Sequence, residues 1–327
     1  MTNELPNHEP ELPDGNALPS HELVLALGRR LRDAVLPQLG SHAGRAKLAP
    51  GAGGDLTFSV DELAESELER FVGEHAPQFA YYSEDRGLVA PSGTETHVLI
   101  VDPIDGTRPA MAGFEAACVA VALAPFGDGN PKMADLETGC VVEIKSGNWF
   151  LARRGGGVLS TLTIDLSPTT EISSMFWAYG FRGRPARATA ELLAELIDAS
   201  SVGGGTFELG SQAFAMTRVA TGQLDAVIEV GSRMIDEVPG MEAEFLRAGA
   251  GSVLNNSPYD LAAPWLCLTE AGGIVTDGWG RPLDDKPLLG YGHEYQMSSI
   301  SAANPSLHAR LLAEVDEGIE RLVALAG

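Results

Sequence analysis

Two aspartates three positions apart, Asp102 and Asp105, stand in the string Val98-Leu99-Ile100-Val101-Asp102-Pro103-Ile104-Asp105-Gly106-Thr107. The four apolar residues before them read as a short buried strand. Pro103 holds its own φ and lacks a donor, and Gly106 permits backbone conformations that other residues resist. Such a chain leaves a rigid strand, turns sharply, and presents two carboxylates with the Ile104 carbonyl between them. Hard oxygen ligands of this kind suit Mg²⁺ or Mn²⁺. If Gly106 and Thr107 open a helix, their amides suit a phosphate oxygen. A strand ending in an Asp-Pro turn with an Asx-type cap would use the same Asp-Pro-x-Asp letters. The full five-letter string, however, should arise by chance in on the order of one chain in a thousand or fewer.

The stretch resembles the Asp-Pro-Ile/Leu-Asp-Gly-Thr/Ser signature of the inositol monophosphatase family, metal-dependent phosphomonoesterases. A second motif of that family follows downstream in the right order: Asp260-Leu261-Ala262-Ala263, then Glu270-Ala271-Gly272-Gly273. The resemblance runs from about residue 45 to about 305. It implies an α/β (α+β) fold, a layered α-β-α-β-α sandwich of the inositol monophosphatase and fructose-bisphosphatase type. It also implies two or three Mg²⁺ ions, with Mn²⁺ as a substitute. Glu84, Asp102 and the Ile104 carbonyl would hold one ion, and Asp102, Asp105 and Asp260 a second. Glu84 would share a third with water. By the same resemblance Asp61 and Thr107 orient the attacking water, with Glu84 beside them. The amides of Gly106 and Thr107 hold the phosphate, and Gly210, Ser211 and Glu229 face the alcohol. The implied reaction is hydrolysis of a small inositol or sugar phosphate without a covalent phosphoenzyme. A nucleotide 3′-phosphatase, a fructose-bisphosphatase or a specialised sugar phosphatase would use the same chemistry. A metal- or phosphate-binding regulator on this scaffold is the non-enzymatic alternative, and Mg²⁺-dependent phosphate release separates the two. Asp105→Asn is expected to remove most activity and leave the fold intact.

The composition fits this reading. A chain of 327 residues, 44% of them hydrophobic, can bury a large core in one or two domains. Its formal charge of −23 repels nucleic acid and anionic membranes, so no nucleic-acid or membrane partner is expected. Phosphate chemistry in so acidic a protein needs local positive charge, which bound metal supplies. Cys118, Cys140 and Cys267 form no CxxC pair, and reduced buried thiols fit a reducing compartment. Apolar runs fall short of the ~20 residues of a bilayer span. The expected location is cytoplasmic, and the expected partners are a small phosphorylated metabolite and, from the resemblance, a second copy in a homodimer.

The elements that must position these groups follow from periodicity and punctuation. Residues 1–20 are polar, acidic and proline-rich and read as a disordered tail. An N-terminal α+β half, 21–168, carries most metal ligands. A C-terminal α/β half, 169–327, carries Asp260 and the substrate-recognition elements, and the seam falls at Pro168 to Ile172. Leu23, Leu27, Leu31 and Val35 give a helix over 21–39. Ser59 with Glu62 has capping-box form and starts a second helix, with Asp61 in its first turn. Tyr81 to Gly87 holds Glu84, with Ser83 where the family has glycine. Ala116 to Pro125 is a strand of small residues, and Cys140 to Ala152 a hairpin around Ser146-Gly147. Arg182, Arg184 and Arg187 read first as an exposed loop before a helix over 189–199, and second as substrate contacts. Lys47 matches a lysine that the family carries near its site. Residues 232–258 exceed the family's usual length and are expected to form a lid or a subunit contact. Ser257 and Pro258 cap and open a helix that puts Asp260 in its first turn.

Overall fold

The computed structural model describes residues 20–41, 47–50, 56–127 and 129–326. Residues 1–19, most of the expected tail, lie outside the described residues, as does the side chain of Lys47. The chain begins with α1 (Ser20–Val35), whose Leu23, Leu27, Leu31 and Val35 form the expected buried stripe. The helix stops before Pro37, and a single tighter turn carries the chain on to Gln38. β1 (Lys47–Pro50) and β2 (Leu56–Phe58) pair antiparallel and lead into α2 (Ser59–His75). Because β2 runs straight into α2, Ser59 is already helical. The cap therefore sits one residue earlier than the sequence suggested and is one-sided: Asp61 accepts from the Phe58 amide at 2.8 Å, and the Phe58 side chain has no acceptor to return it. Glu62 instead pairs with Arg86.

A seven-stranded sheet follows. It comprises β3 (Phe79–Ser83), β4 (Gly87–Val89), β5 (His97–Asp105), β6 (Cys118–Pro125), β7 (Thr138–Glu143), β8 (Trp149–Arg153) and β9 (Gly157–Ser160), with α3 (Thr107–Ala112) between β5 and β6. The strand order is β4-β3-β5-β6-β7-β8-β9, antiparallel except for β3 with β5. The second half contributes β10 (Phe176–Tyr179), α4 (Ala186–Ser200), β11 (Gly205–Phe207), α5 (Gln212–Ala220), β12 (Ala226–Glu229), α6 (Gly231–Glu237), α7 (Met241–Ala248), α8 (Pro258–Glu270), β13 (Ile274–Thr276), β14 (Ser299–Ala302) and α9 (Pro305–Ala326). Its five strands form a mixed sheet, β11-β10-β12-β14-β13.

The layers are α1/α2, the large sheet, α5/α8, the smaller sheet, and α4/α9, which is the expected sandwich. β5 is apolar on both faces because helices cover both. Leu99 and Val101 pack toward α1 and α2, while Val98 and Ile100 pack toward α5 and α8. On β6 the latter side carries Ala120, Ala122 and Ala124, and neighbouring Gly139 has no room for a Cβ, which would lie 2.9 Å from the Ala263 carbonyl oxygen. Small residues thus let α8 approach the sheet closely. The residues beyond the family's usual length form α6 and α7 and pack inward: Met234, Val238, Met241 and Phe245 join the core under α4 and α9. Residues 232–258, expected to form a lid or a subunit contact, thus supply part of the core wall. No helix among the described residues is long and apolar enough to cross a membrane.

Candidate metal and phosphate site

Residues i and i+3 of a regular strand point to opposite faces, so Asp102 and Asp105 need a break in the alternation to meet. The ladder supplies one. Asp102 lies opposite Ala120 and Asp105 opposite Cys118, so three steps on β5 match two on β6. This is one extra residue, a bulge, at Pro103-Ile104, where proline has no ladder donor to lose. Parity flips across it. Ile104 turns to the α1/α2 side with Val101, and both aspartates share the side that faces α8. Gly106, at φ +90°, then ends the strand, and a Cβ there would lie 2.6 Å from the Ala116 carbonyl oxygen. α3 opens at Thr107, whose hydroxyl donates to the Ile104 carbonyl at 3.2 Å.

Asp260 arrives from α8, whose N-terminus is capped at Ser257 with Pro258 in first position, as the sequence indicated. Its carboxylate accepts from the Ser257 amide at 2.6 Å. Carboxylate oxygens of Asp102, Asp105 and Asp260 all lie within 4.8 Å of one another. Asp102 is 2% exposed and accepts from the Ile104 amide at 3.0 Å. Asp105 is held from behind by the start of α5. It accepts from Ser211 Oγ at 2.6 Å, from the Gln212 amide at 3.2 Å and from the Ala213 amide.

Two buried carboxylates and a half-buried third this close oppose one another's ionisation. Burial is the largest cause in each case and raises all three acids. The charges of Glu84, Asp105 and Asp260 raise Asp102 further, well above the usual carboxylate range. Donors from Ser211, Ala213 and Gln212 partly offset the rise at Asp105. Asp260 is pushed up to about 7 by burial and the Asp105 charge, against the Ser257 amide and the guanidinium groups of Arg182 and Arg184. An uncompensated acidic cluster of hard oxygens is complementary to a hard divalent cation, so the residues present fit Mg²⁺ or Mn²⁺.

Glu84 is half-buried in the turn between β3 and β4. It lines the same cavity, of about 300 Å³, with Asp102, Ile104, Asp105, Gly106, Thr107 and Asp260. Asp61 does not line this cavity. It sits next along from it at the start of α2, where the Phe58 ring lies 5.9 Å from the Arg108 guanidinium. Gly210 lines the cavity, and Ser211, which also lines the chamber beside it, caps α5 and donates to Asp105. An adjoining chamber of about 70 Å³ is walled by Arg184, Gly210, Glu229, Leu254 and Asn256.

The arginine trio divides. Arg182 and Arg184 line the chamber, whereas Arg187 is exposed on α4. Arg184 is no part of an exposed loop: its Nε donates to Glu229 at 2.9 Å, with both side chains buried. Sequence reasoning missed this ion pair and the support that α5 lends Asp105. Ser211 at the head of a helical run was the one local signal for the second.

The sequence model of the inositol monophosphatase family matches residues 21–320. A Nus factor SuhB of Xylella fastidiosa is 28% identical over 252 residues, covering 71% of this chain and 86% of its own length. A fructose-1,6-bisphosphatase/inositol-1-monophosphatase of Methanothermobacter thermautotrophicus is 25% identical, covering 90% and 95%. Among solved structures, inositol monophosphatase from Anabaena superposes with a TM-score of 0.64 at 20% identity, covering 90% of this chain and 94% of that one.

Proposed function

The chain belongs to the inositol monophosphatase family, and on that premise we propose that it is a Mg²⁺-dependent phosphatase that hydrolyses a small inositol or sugar phosphate by direct attack of water. One observation carries the reading: Asp102, Asp105 and Asp260, drawn from two distant parts of the chain, bring carboxylate oxygens within 4.8 Å of one another in a cavity. Phosphate monoester hydrolysis is among the slowest uncatalysed reactions, so a phosphatase needs concentrated positive charge. Bound Mg²⁺ supplies that charge, polarises the phosphoryl oxygens and eases deprotonation of the attacking water.

The chain's own residues do the rest. Asp102, Asp105, Asp260, Glu84 and the Ile104 carbonyl hold the cation. The amides of Gly106 and Thr107 orient the phosphate. Thr107 donates its hydroxyl hydrogen bond to the Ile104 carbonyl, which leaves its oxygen to accept from water. Water oxygen bonds to phosphorus as the ester oxygen leaves, and the departing alcohol takes up a proton. Glu229 and Gly210 face the alcohol side, with Glu229 itself fixed by Arg184 and the Gly231 amide.

The test is phosphate release from a panel of inositol, sugar and nucleotide phosphates, with Mg²⁺ and with chelator. Release that needs Mg²⁺ and favours inositol or sugar phosphates is expected. Preference for a nucleotide 3′-phosphate or for fructose bisphosphate would keep the chemistry and move the substrate. Binding of phosphate with no turnover of any ester would refute the enzymatic reading.

A further inference from the structure

Glu65 lies on α2 in the stripe that also buries Ala64, Leu68, Phe71 and Val72, yet it carries a carboxylate and is 1% exposed. A carboxylate among apolar side chains persists only if it is well hydrogen-bonded. Burial, the largest influence on it, pushes it up to about 7. Both of its oxygens are used, and on adjacent parts of one turn. Oε2 accepts from Ser83 Oγ at 2.8 Å, and Oε1 accepts from the Asp85 amide at 3.1 Å. The residue between these two anchors is Glu84.

We propose that Glu65 is a positioning residue that clamps Ser83 and Asp85 and so fixes the Glu84 carboxylate toward Asp102. The proposal rests on Glu84 being a cation ligand, as set out above. β3 ends at Ser83 and β4 begins at Gly87, so Glu84 stands on the short turn between them. The other tie between α2 and this turn, Glu62 with Arg86 at 2.5 Å, is 45% and 32% exposed and contributes little. The buried clamp is the stronger of the two. Glu84 is also the strongest of the charges acting on Asp102, so its placement sets the field at the centre of the cluster.

Two variants of the full chain test this, Glu65→Gln and Ser83→Ala. Glutamine offers one oxygen and one NH₂, so one of the two donors loses its acceptor. Calorimetric titration with MgCl₂ alone should show affinity reduced tenfold or more in Glu65→Gln, the range typical of groups that support metal ligands from behind. Ser83→Ala should lose severalfold. Turnover at saturating Mg²⁺ should stay within twofold of wild type, with the loss appearing in the Mg²⁺ concentration for half activation. Melting in chelator should be little changed in Ser83→Ala, which decides alone if Glu65→Gln does not fold. Unchanged Mg²⁺ affinity in the folded variants overturns the proposal, as does a fall in saturated turnover with affinity intact. If wild type binds Mg²⁺ and releases phosphate while the variants match it, only this inference fails. If wild type does neither, the phosphatase reading fails with it.

Discussion

Asp260→Asn should make the metal-free protein more stable at pH 8 while abolishing its activity. The asparagine keeps an oxygen for the Ser257 amide, the hydrogen bond that Asp260 makes at 2.6 Å, so the start of α8 survives. What disappears is a charge pressed against Asp105 in a buried site. Asp260 is pushed up to about 7 from an ordinary 3.8 by burial and by that neighbour. Between about pH 4 and 7 the folded protein keeps this proton while the unfolded chain has released it. The folded state binds more protons there, so metal-free stability falls as pH rises through the window. The penalty is absent below about pH 4 and complete above 7, where it reaches up to about 4 kcal/mol. Over a chain of 327 residues that corresponds to roughly 5 °C in Tm. Thermal melts in chelator should therefore coincide near pH 4, and at pH 8 the variant should melt roughly 5 °C higher. Mg²⁺ should narrow the gap. A hundredfold excess over Kd stabilises the wild type by about 2.7 kcal/mol, and the variant, one ligand short, gains less. A metal-free variant that melts at or below wild type at pH 8, or by the same margin at every pH, would refute the account of the cluster as mutually repelling acids.

Asp105→Asn should cost at least about a hundredfold in phosphate release, but unlike Asp260→Asn it should also destabilise. Asp105 receives three donors, and an amide cannot accept all of them. Each buried donor left unpaired costs about 1–3 kcal/mol, to be read from urea midpoints. The fold is thus less indifferent to this change than the sequence suggested. Arg184→Ala leaves Glu229 charged and buried, with a predicted loss of about 3–5 kcal/mol that Glu229→Gln in the same chain should largely recover. Gly106→Ala forces a side chain into φ +90° and against the Ala116 carbonyl, so chemical denaturation should show a loss of about 2 kcal/mol or more, with activity gone.

The turn that carries Asp102 and Asp105 was legible because its signals are local, whereas Asp260 and Glu84 were joined to it only by the family resemblance. Four apolar residues before Asp102 make a strand wherever the chain is packed on both sides, and Ser257-Pro258 marks a helix start that fixes Asp260. The layered order of helices and sheets came from the resemblance, and the structure bears it out. What the sequence hid is set by partners far along the chain. Ser59-x-x-Glu62 and Phe58-x-x-Asp61 have the same spacing, and only the end of β2 at Phe58 decides which one caps α2. Ser83 reads as a loose substitute for glycine until Glu65 is found beneath it. Arg184 looks solvated until Glu229, from another strand, closes on it. The bulge that turns both aspartates to one side leaves only Pro103 as a trace in the sequence.

α8 is one of the two helices between the sheets, and it carries the third acid. On a ribosome, the large sheet and its two aspartates emerge long before this helix does. A nascent chain halfway through synthesis holds Asp102 and Asp105 with no Asp260 to complete a cation pocket. Even when α8 appears, the layer it occupies is not closed until β14 slots between β12 and β13. On the phosphatase reading proposed above, metal capture is therefore a late event in the life of each molecule, and an interrupted translation product carries no competent centre.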